Sequence, residues 1–433
     1  MTRRRALVLI LSLVLTVAAS NTLSTRVQSV KYSKSYPTVV CPPSDSSVVS
    51  QTSLTSSSTK FRRIAGKNTA LHPVSKLKYK SDGSAILLDQ PTITSITWQG
   101  LSGVWAGATL CRAPQSDQWF VGGSANVFSK GRIYLVNSGL SDALVDVALW
   151  NGKGALGSKV FPVHSNSTLR IALDSIAAGS DQLVIRVTPR SGRVSSYLVE
   201  ERSKGLRSLG GDIVNATDSP GTDLIISGIP HQRSGGKGIS HVVRLLVPGN
   251  VDAHVRVDLI STDGVFAPVG LDGVDVAHGI AKDLVFTPTI ASTIFSLRIR
   301  SDQPMVAGVF SALNVNSHTD IVWNAVSPTF VPMTLGVRGL NPTLVFTGDS
   351  ISIQISARLT TGKVLNTKLI GNDIAAWRVP NDVSSVSLTA SGSPIVGSAL
   401  VSSNSGVAAF PLLVGSELTK ALVPNSDIAV INR

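Results

Sequence analysis

The feature that most constrains this chain is a strand pattern written three times at a spacing of roughly 100 residues. In the first copy GRIYLVN (131–137) leads to LVDVALW (144–150) and the turn Asn151-Gly152. STLRIAL (167–173), LVIRV (183–187), a turn at Ser191-Gly192 and a strand over 194–199 complete it. The second copy runs through HVVRLLV (241–247), 255–260, the turn Asp263-Gly264, 280–286, FSLRI (295–299), a turn at Gln303-Pro304, and 305–310. The third runs through 343–346, 351–359, the turn Thr361-Gly362, 374–379, 386–389, Ser393-Pro394 and 395–401. Apolar and polar residues alternate along these runs with the period of two that a half-buried strand imposes. Self-similarity at a fixed period marks repeated structural units, so the expected fold class is all-β.

Each copy is preceded by an Asp and a run of apolar residues: Asp117-Gln118-Trp119-Phe120, Asp223-Leu224-Ile225-Ile226 and Asp320-Ile321-Val322-Trp323. These recurrences set the expected boundaries at 115–211, 212–318 and 319–433, behind a smaller basic β region over 36–114 that holds a Ser/Thr-rich loop at 44–59. The stretches 203–220 and 229–238, rich in Gly, Ser and Lys, read as exposed joints. Short strands with turns every 8 to 12 residues point to tandem immunoglobulin-like β-sandwiches. The alternative is a β-propeller in which each copy supplies one or two blades. Charged residues are only 15% of the chain and hydrophobic ones 43%, which suits buried sheets and leaves too little charge for long amphipathic helices.

Residues 1–20 carry Arg3, Arg4 and Arg5, then an apolar run over 6–15, then Ala18, Ala19 and Ser20. That is the layout of a secretory signal peptide, and an uncleaved membrane anchor is the alternative. Both place the rest of the chain outside the cytoplasm, in the cell envelope or beyond it. The two cysteines, Cys41 and Cys111, both follow this segment, and in an oxidising compartment an isolated pair is expected to form a disulfide.

The first copy, IYLVNSGLSDALVDVALWNGKGALGSKVFPVHSNSTLRIALDSIAAGSDQLVIRV, resembles the strand pattern of an actinobacterial exported family, domain of unknown function 5719. The resemblance extends over most of the chain after residue 20. It implies an all-β region in a bacterial cell envelope and brings no catalytic residues with it.

Motifs for chemistry are sparse. His72, His164, His231, His241, His254, His278 and His318 are scattered, with no H-E-x-x-H and no metal-ligand spacing, so no metal and no cofactor is expected. His241 and His254 can approach across adjacent strands, where hydrogen-bonded sheet histidines are the expectation. No G-x-S-x-G occurs, and the S-x-x-K matches at Ser57 and Ser75 are not followed by K-T-G. After residue 20 the glutamates are Glu200, Glu201 and Glu417, and most aspartates sit in turns such as Asp82-Gly83, where they cap the backbone. Of the tryptophans, Trp119 and Trp323 take equivalent repeat positions and read as core. Trp98 and Trp105, in a Gly-rich strand pair, are the candidates for exposure.

The formal charge of +13 is uneven. Residues 1–20 hold +3, residues 21–115 hold 11 basic and 3 acidic residues for +8, and residues 116–433 hold 25 and 23 for +2. The basic stripe comprises Lys60, Arg62, Arg63, Lys67, Lys76, Lys78 and Lys80, and such a stripe attracts polyanions. Anionic wall polymer or a membrane surface are the expected partners, and no nucleic acid, because no recognition motif accompanies the charge. The functional expectation is a non-enzymatic exported scaffold or binding protein of the cell envelope. The alternative is an extracellular carbohydrate-active enzyme resembling a glycoside hydrolase, which requires convergent carboxylates in a cleft.

Overall fold

The computed structural model describes residues 39–413, apart from 55–58, 66–68, 75–77, 81–83, 90–92 and 235–236. Residues 1–20, expected to form a signal peptide or anchor, lie outside the described residues with Lys67 and Lys76, as do the side chains of Lys78 and Lys80. The described residues are almost wholly β, with a single helical turn at Asp174–Ala177.

Alternation builds the strands as expected. In Ala143–Asn151 the side chains of Val145, Val147 and Leu149 are buried, whereas Leu144 faces solvent. Two four-stranded antiparallel sheets result. One has the order Gly154–Val163, Ala143–Asn151, Val184–Ser191, Gln118–Val121; the other has Ser167–Ala172, Arg132–Asn137, Val194–Lys204, Arg207–Val214. Ile133, Leu135, Val145, Val147, Ile185 and Leu198 meet between them in a dry core. The unit is therefore a β-sandwich.

The same strand order recurs over 221–325. There Ile294–Val315 bends and serves both sheets, pairing first with Ala253–Ser261 and Gly221–Pro230, then with His241–Leu246 and His318–Ala325. It recurs again over 333–411, where Thr343–Leu359 and Val364–Arg378 each span two sheets. The region expected as a separate small β domain follows it too. Its sheets are Val39–Cys41, Ala85–Asp89, Lys60–Ile64, His72–Pro73 and Lys78–Lys80, Val49–Thr52, Thr94–Leu101, Trp105–Leu110. Among the described residues four copies are present, and the disulfide between Cys41 and Cys111 joins the opening strand of the first copy to the end of its last.

This alignment moves the boundaries. Asp320 does not open a copy: it lies in His318–Ala325, the last strand of the third sandwich, whereas Asp117 precedes and Asp223 lies in a first strand. Trp119 and Trp323 are accordingly not equivalent. The boundary at 211/212 falls inside Arg207–Val214, and 203–220 holds a strand whose last residues are buried rather than an exposed joint. Gly210 and Gly211 resemble a turn in sequence; here they sit where neighbouring backbones touch, and at Gly210, with φ at 105°, a Cβ would lie 2.5 Å from the Cα of Asp320.

The four sandwiches close into a ring. The first packs on the second through Val40, Leu87 and Trp105 against Tyr134, Tyr197 and Ile213. Trp119, Val121 and Val184 of the second meet Leu246, Ala281 and Val306 of the third. Leu313 and Val322 of the third meet Val345, Leu400 and Ala409 of the fourth. Met333–Gly336 of the fourth then pairs in parallel with Thr94–Leu101 of the first, Leu335 opposite Thr94 and Gly336 opposite Ser95, while Ile96 and Leu110 enter the fourth core. The units are sandwiches, and their arrangement closes on itself as the blades of a propeller do.

Candidate functional site

Where the four last strands converge, a buried acid joins them. The Asp320 carboxylate accepts backbone N–H bonds from Gly211 at 3.1 Å and Ile321 at 2.9 Å on Oδ1, and from Ala106 at 3.3 Å and Val407 at 3.0 Å on Oδ2. Each sandwich contributes one donor. Asn215 does the complementary work with its amide, donating to the carbonyls of Ala108, Ile213 and Ala409. Burial pushes the Asp320 carboxyl up to about 7 against the pull of those amides. Asp212, wholly buried, is held well above the usual carboxylate range by burial and the nearby Asp320, although the amides of Trp323 and Ile213 donate to it.

Glu200 is the third acid of this region, and it is completely buried. Its Oε1 accepts from Ser124, Ser129 and the Arg202 Nε, and its Oε2 from the Trp323 indole at 2.7 Å. Burial raises its pKa, but the Arg202 charge and these donors outweigh that and hold it below the usual value. These groups are occupied by the protein itself, so what they do is lock the sandwiches together.

Beside Glu200 a cavity of about 420 Å³ opens between the second and third sandwiches. Its wall carries Arg202 and Lys204, two residues apart on Val194–Lys204, together with Phe128, Leu209, Val242 and Phe310. The Arg202 guanidinium stacks 4.3 Å over the Phe310 ring. Behind it, Arg244 donates to Gly123 O, Leu183 O, Asp181 O and both oxygens of Asp283, and lies 4.9 Å over Trp323. A second cleft of about 670 Å³ lies between the third and fourth sandwiches, where Asp223 is paired with Arg298.

The basic stripe is divided. Lys60 and Arg63 are exposed on Lys60–Ile64, while Lys78 and Lys80 lie on a strand of the facing sheet. Arg62 corrects the expectation: it is 6% exposed and turned toward the second sandwich, where it donates to Asn166 Oδ1 and to Ser138 O. The reason is strand alternation, which puts Arg62 on the face of Ile64, buried against the second sandwich, and Arg63 on the other face, while Lys60 stays exposed at the start of the strand. Burial lowers its pKa.

His241 pairs not with His254 but with His231, at 3.0 Å between ring nitrogens, and its Nδ1 meets Ser311 Oγ at 2.8 Å. Burial and the neighbouring His231 lower the His241 pKa to about 3. His254 and His278 instead cap Asp275 and Asp252 on the surface. Trp105 is 1% exposed, which corrects its expected exposure, whereas Trp98 is half-buried against the fourth core. Among the described residues no group of three His, Cys, Asp or Glu side chains is placed to hold a metal, and no helix is long and apolar enough to cross a membrane.

Sequence reasoning missed Glu200, Arg202, Phe310 and Trp323 as neighbours. Glu200 alone left a signal, as a glutamate inside the apolar run VSSYLVEERSK.

No curated protein matches the chain. A crystal structure of Thermotoga maritima 1070 aligns at 12% identity over 25% of this chain and 93% of that one, with a TM-score of 0.20. Streptomyces avermitilis α-L-rhamnosidase complexed with L-rhamnose aligns at 10% identity over 84% and 54%, with a TM-score of 0.13. At such scores neither carries an argument about fold or activity. The family of unknown function DUF5719 matches residues 89–370, from the first sandwich into the fourth. By that match, which spans more than half its length, the chain belongs to the DUF5719 family.

Proposed function

We propose that this protein is a non-enzymatic exported scaffold or binding protein of the cell envelope, whose first sandwich contacts anionic wall polymer or lipid. The observation that carries this reading is the charge distribution: +8 over residues 21–115 against +2 over residues 116–433, with Lys60 and Arg63 exposed on a strand of the first sandwich. Three further features support it. The disulfide and the apolar leader suit an oxidising compartment outside the cytoplasm. The perturbed carboxylates Asp212 and Asp320 are taken up by backbone amides at the ring axis, an arrangement suited to rigidity rather than proton transfer. A closed ring presents the first sandwich on a stiff platform.

Binding of this kind is electrostatic. Each basic residue near an anionic surface contributes about 1 kcal/mol, screened beyond about 8 Å at physiological salt. The test is co-sedimentation with vesicles containing phosphatidylglycerol and with purified wall fragments at low ionic strength. Replacing Lys60, Arg63, Lys78 and Lys80 by Gln should abolish it; undiminished binding, or none by the unaltered protein, would refute the proposal.

A further inference from the structure

The cavity between the second and third sandwiches has the makings of a second, separate binding site. Its volume of about 420 Å³ lies in the range of small-molecule pockets. Most of the charged groups around it are already engaged. Asp283 takes two bonds from Arg244, Asp181 accepts from Asn126 on one oxygen, and Glu200 is saturated by four donors. Arg202 lines the cavity and spends its Nε on Glu200, with neither Nη hydrogen-bonded among the described residues, and Lys204 stands beside it on the same face of the strand. Apolar surface lies next to them: Phe128, 48% exposed, whose carbonyl accepts from the amide of Ser203, and Leu209 both line the cavity.

Arg202 is held in place before any ligand arrives. Glu200 fixes one edge of the guanidinium and Phe310 one face, so a planar anion meeting the remaining edge costs little ordering. We propose that this cavity binds a small organic acid, a carboxylate or phosphate monoester carried on an apolar body, with the acid group on Arg202 and Lys204 and the body against Phe128 and Leu209. Asp181 at the rim disfavours multiply charged polyanions, so the wall polymer or lipid surface engaged by the first sandwich is not its ligand. The proposal does not rest on that reading.

The experiment is calorimetric titration of the full chain at low salt with phenyl phosphate, with inorganic phosphate and phenyl β-glucoside as companions. Phenyl phosphate should bind one to one, and more tightly than either companion. Lys204→Gln should weaken it about tenfold, as loss of a charge-assisted contact does. Phe128→Ala should weaken phenyl phosphate while leaving inorganic phosphate unchanged. Both side chains are exposed, so neither variant threatens folding. Lys60→Gln with Arg63→Gln, which disables the first sandwich, should leave the titration unaltered. Absence of saturable heat, equal binding of the neutral glucoside, or indifference to both Lys204→Gln and Phe128→Ala would overturn the proposal.

Discussion

Replacing Asp320 by Ala should destabilise all four sandwiches at once. The carboxylate accepts one amide from each, at 2.9 to 3.3 Å, and those amides lie where neighbouring backbones exclude water. A buried donor left without an acceptor costs about 1 to 3 kcal/mol. Taking the low end, because the strands can relax toward an entering water, the loss is about 4 kcal/mol for four amides. Asp320→Asn keeps one oxygen and turns an NH₂ toward the other two amides, so about half that loss is expected. A pH signature separates this account from a simple packing defect. Burial raises the folded pKa to about 7, so the stability tied to protonated Asp320 is present in full below the unfolded value of 3.8 and is lost as pH rises through 7. The gap between the unaltered protein and Asp320→Asn should therefore narrow between pH 4 and pH 7. Urea unfolding followed by tryptophan fluorescence measures both effects, since Trp105 and Trp323 flank the axis. A loss under about 1 kcal/mol for Asp320→Ala, or a transition in which only the third sandwich is weakened, would refute the reasoning.

His241, with a folded pKa near 3 against 6.5 unfolded, should contribute stability above pH 6.5 that is lost as pH falls toward 3. His241→Phe should flatten that part of the acid-unfolding curve, and an unchanged curve would show that the His231 pair is not its source. Cys41→Ser opens a loop of 70 residues and should cost about 4 kcal/mol in urea unfolding; because the first sandwich closes the ring, a single lowered transition is expected rather than a melted N-terminal region alone. A fragment starting at Gly211 cuts Arg207–Val214 and removes the strand Thr94–Leu101 that pairs with Leu335 and Gly336. It should be aggregated or unfolded by light scattering and circular dichroism, and a stable monomer would show that the sandwiches do not depend on closure.

Strand content was legible because alternation is a local property. Runs such as 131–137, 144–150 and 241–247 reappear as Arg132–Asn137, Ala143–Asn151 and His241–Leu246, displaced by a residue or so. Gly154–Val163 was illegible because it is an exposed outer strand interrupted by Gly157 and Pro162, with no buried face to impose a period. Two of the last strands were illegible for the opposite reason. Arg207–Val214 and Gly406–Pro411 carry small residues so that backbones can meet at the axis, and small residues in sequence look like turns.

By itself, then, the sequence determined the all-β class, the repetition, the pairing of Cys41 with Cys111 and the concentration of positive charge near the N-terminus, each a matter of pattern or count. Only the tertiary structure decided that the N-terminal region is a fourth copy, that Asp320 ends a sandwich and ties four together, that Arg62 is buried, and that Arg202, Lys204 and Phe128 share a cavity. The physical reason is that strand periodicity states which faces are apolar but not which sheet each face meets. Ring closure pairs residues more than 200 positions apart, such as Thr94 with Leu335, and nothing in either segment records its partner.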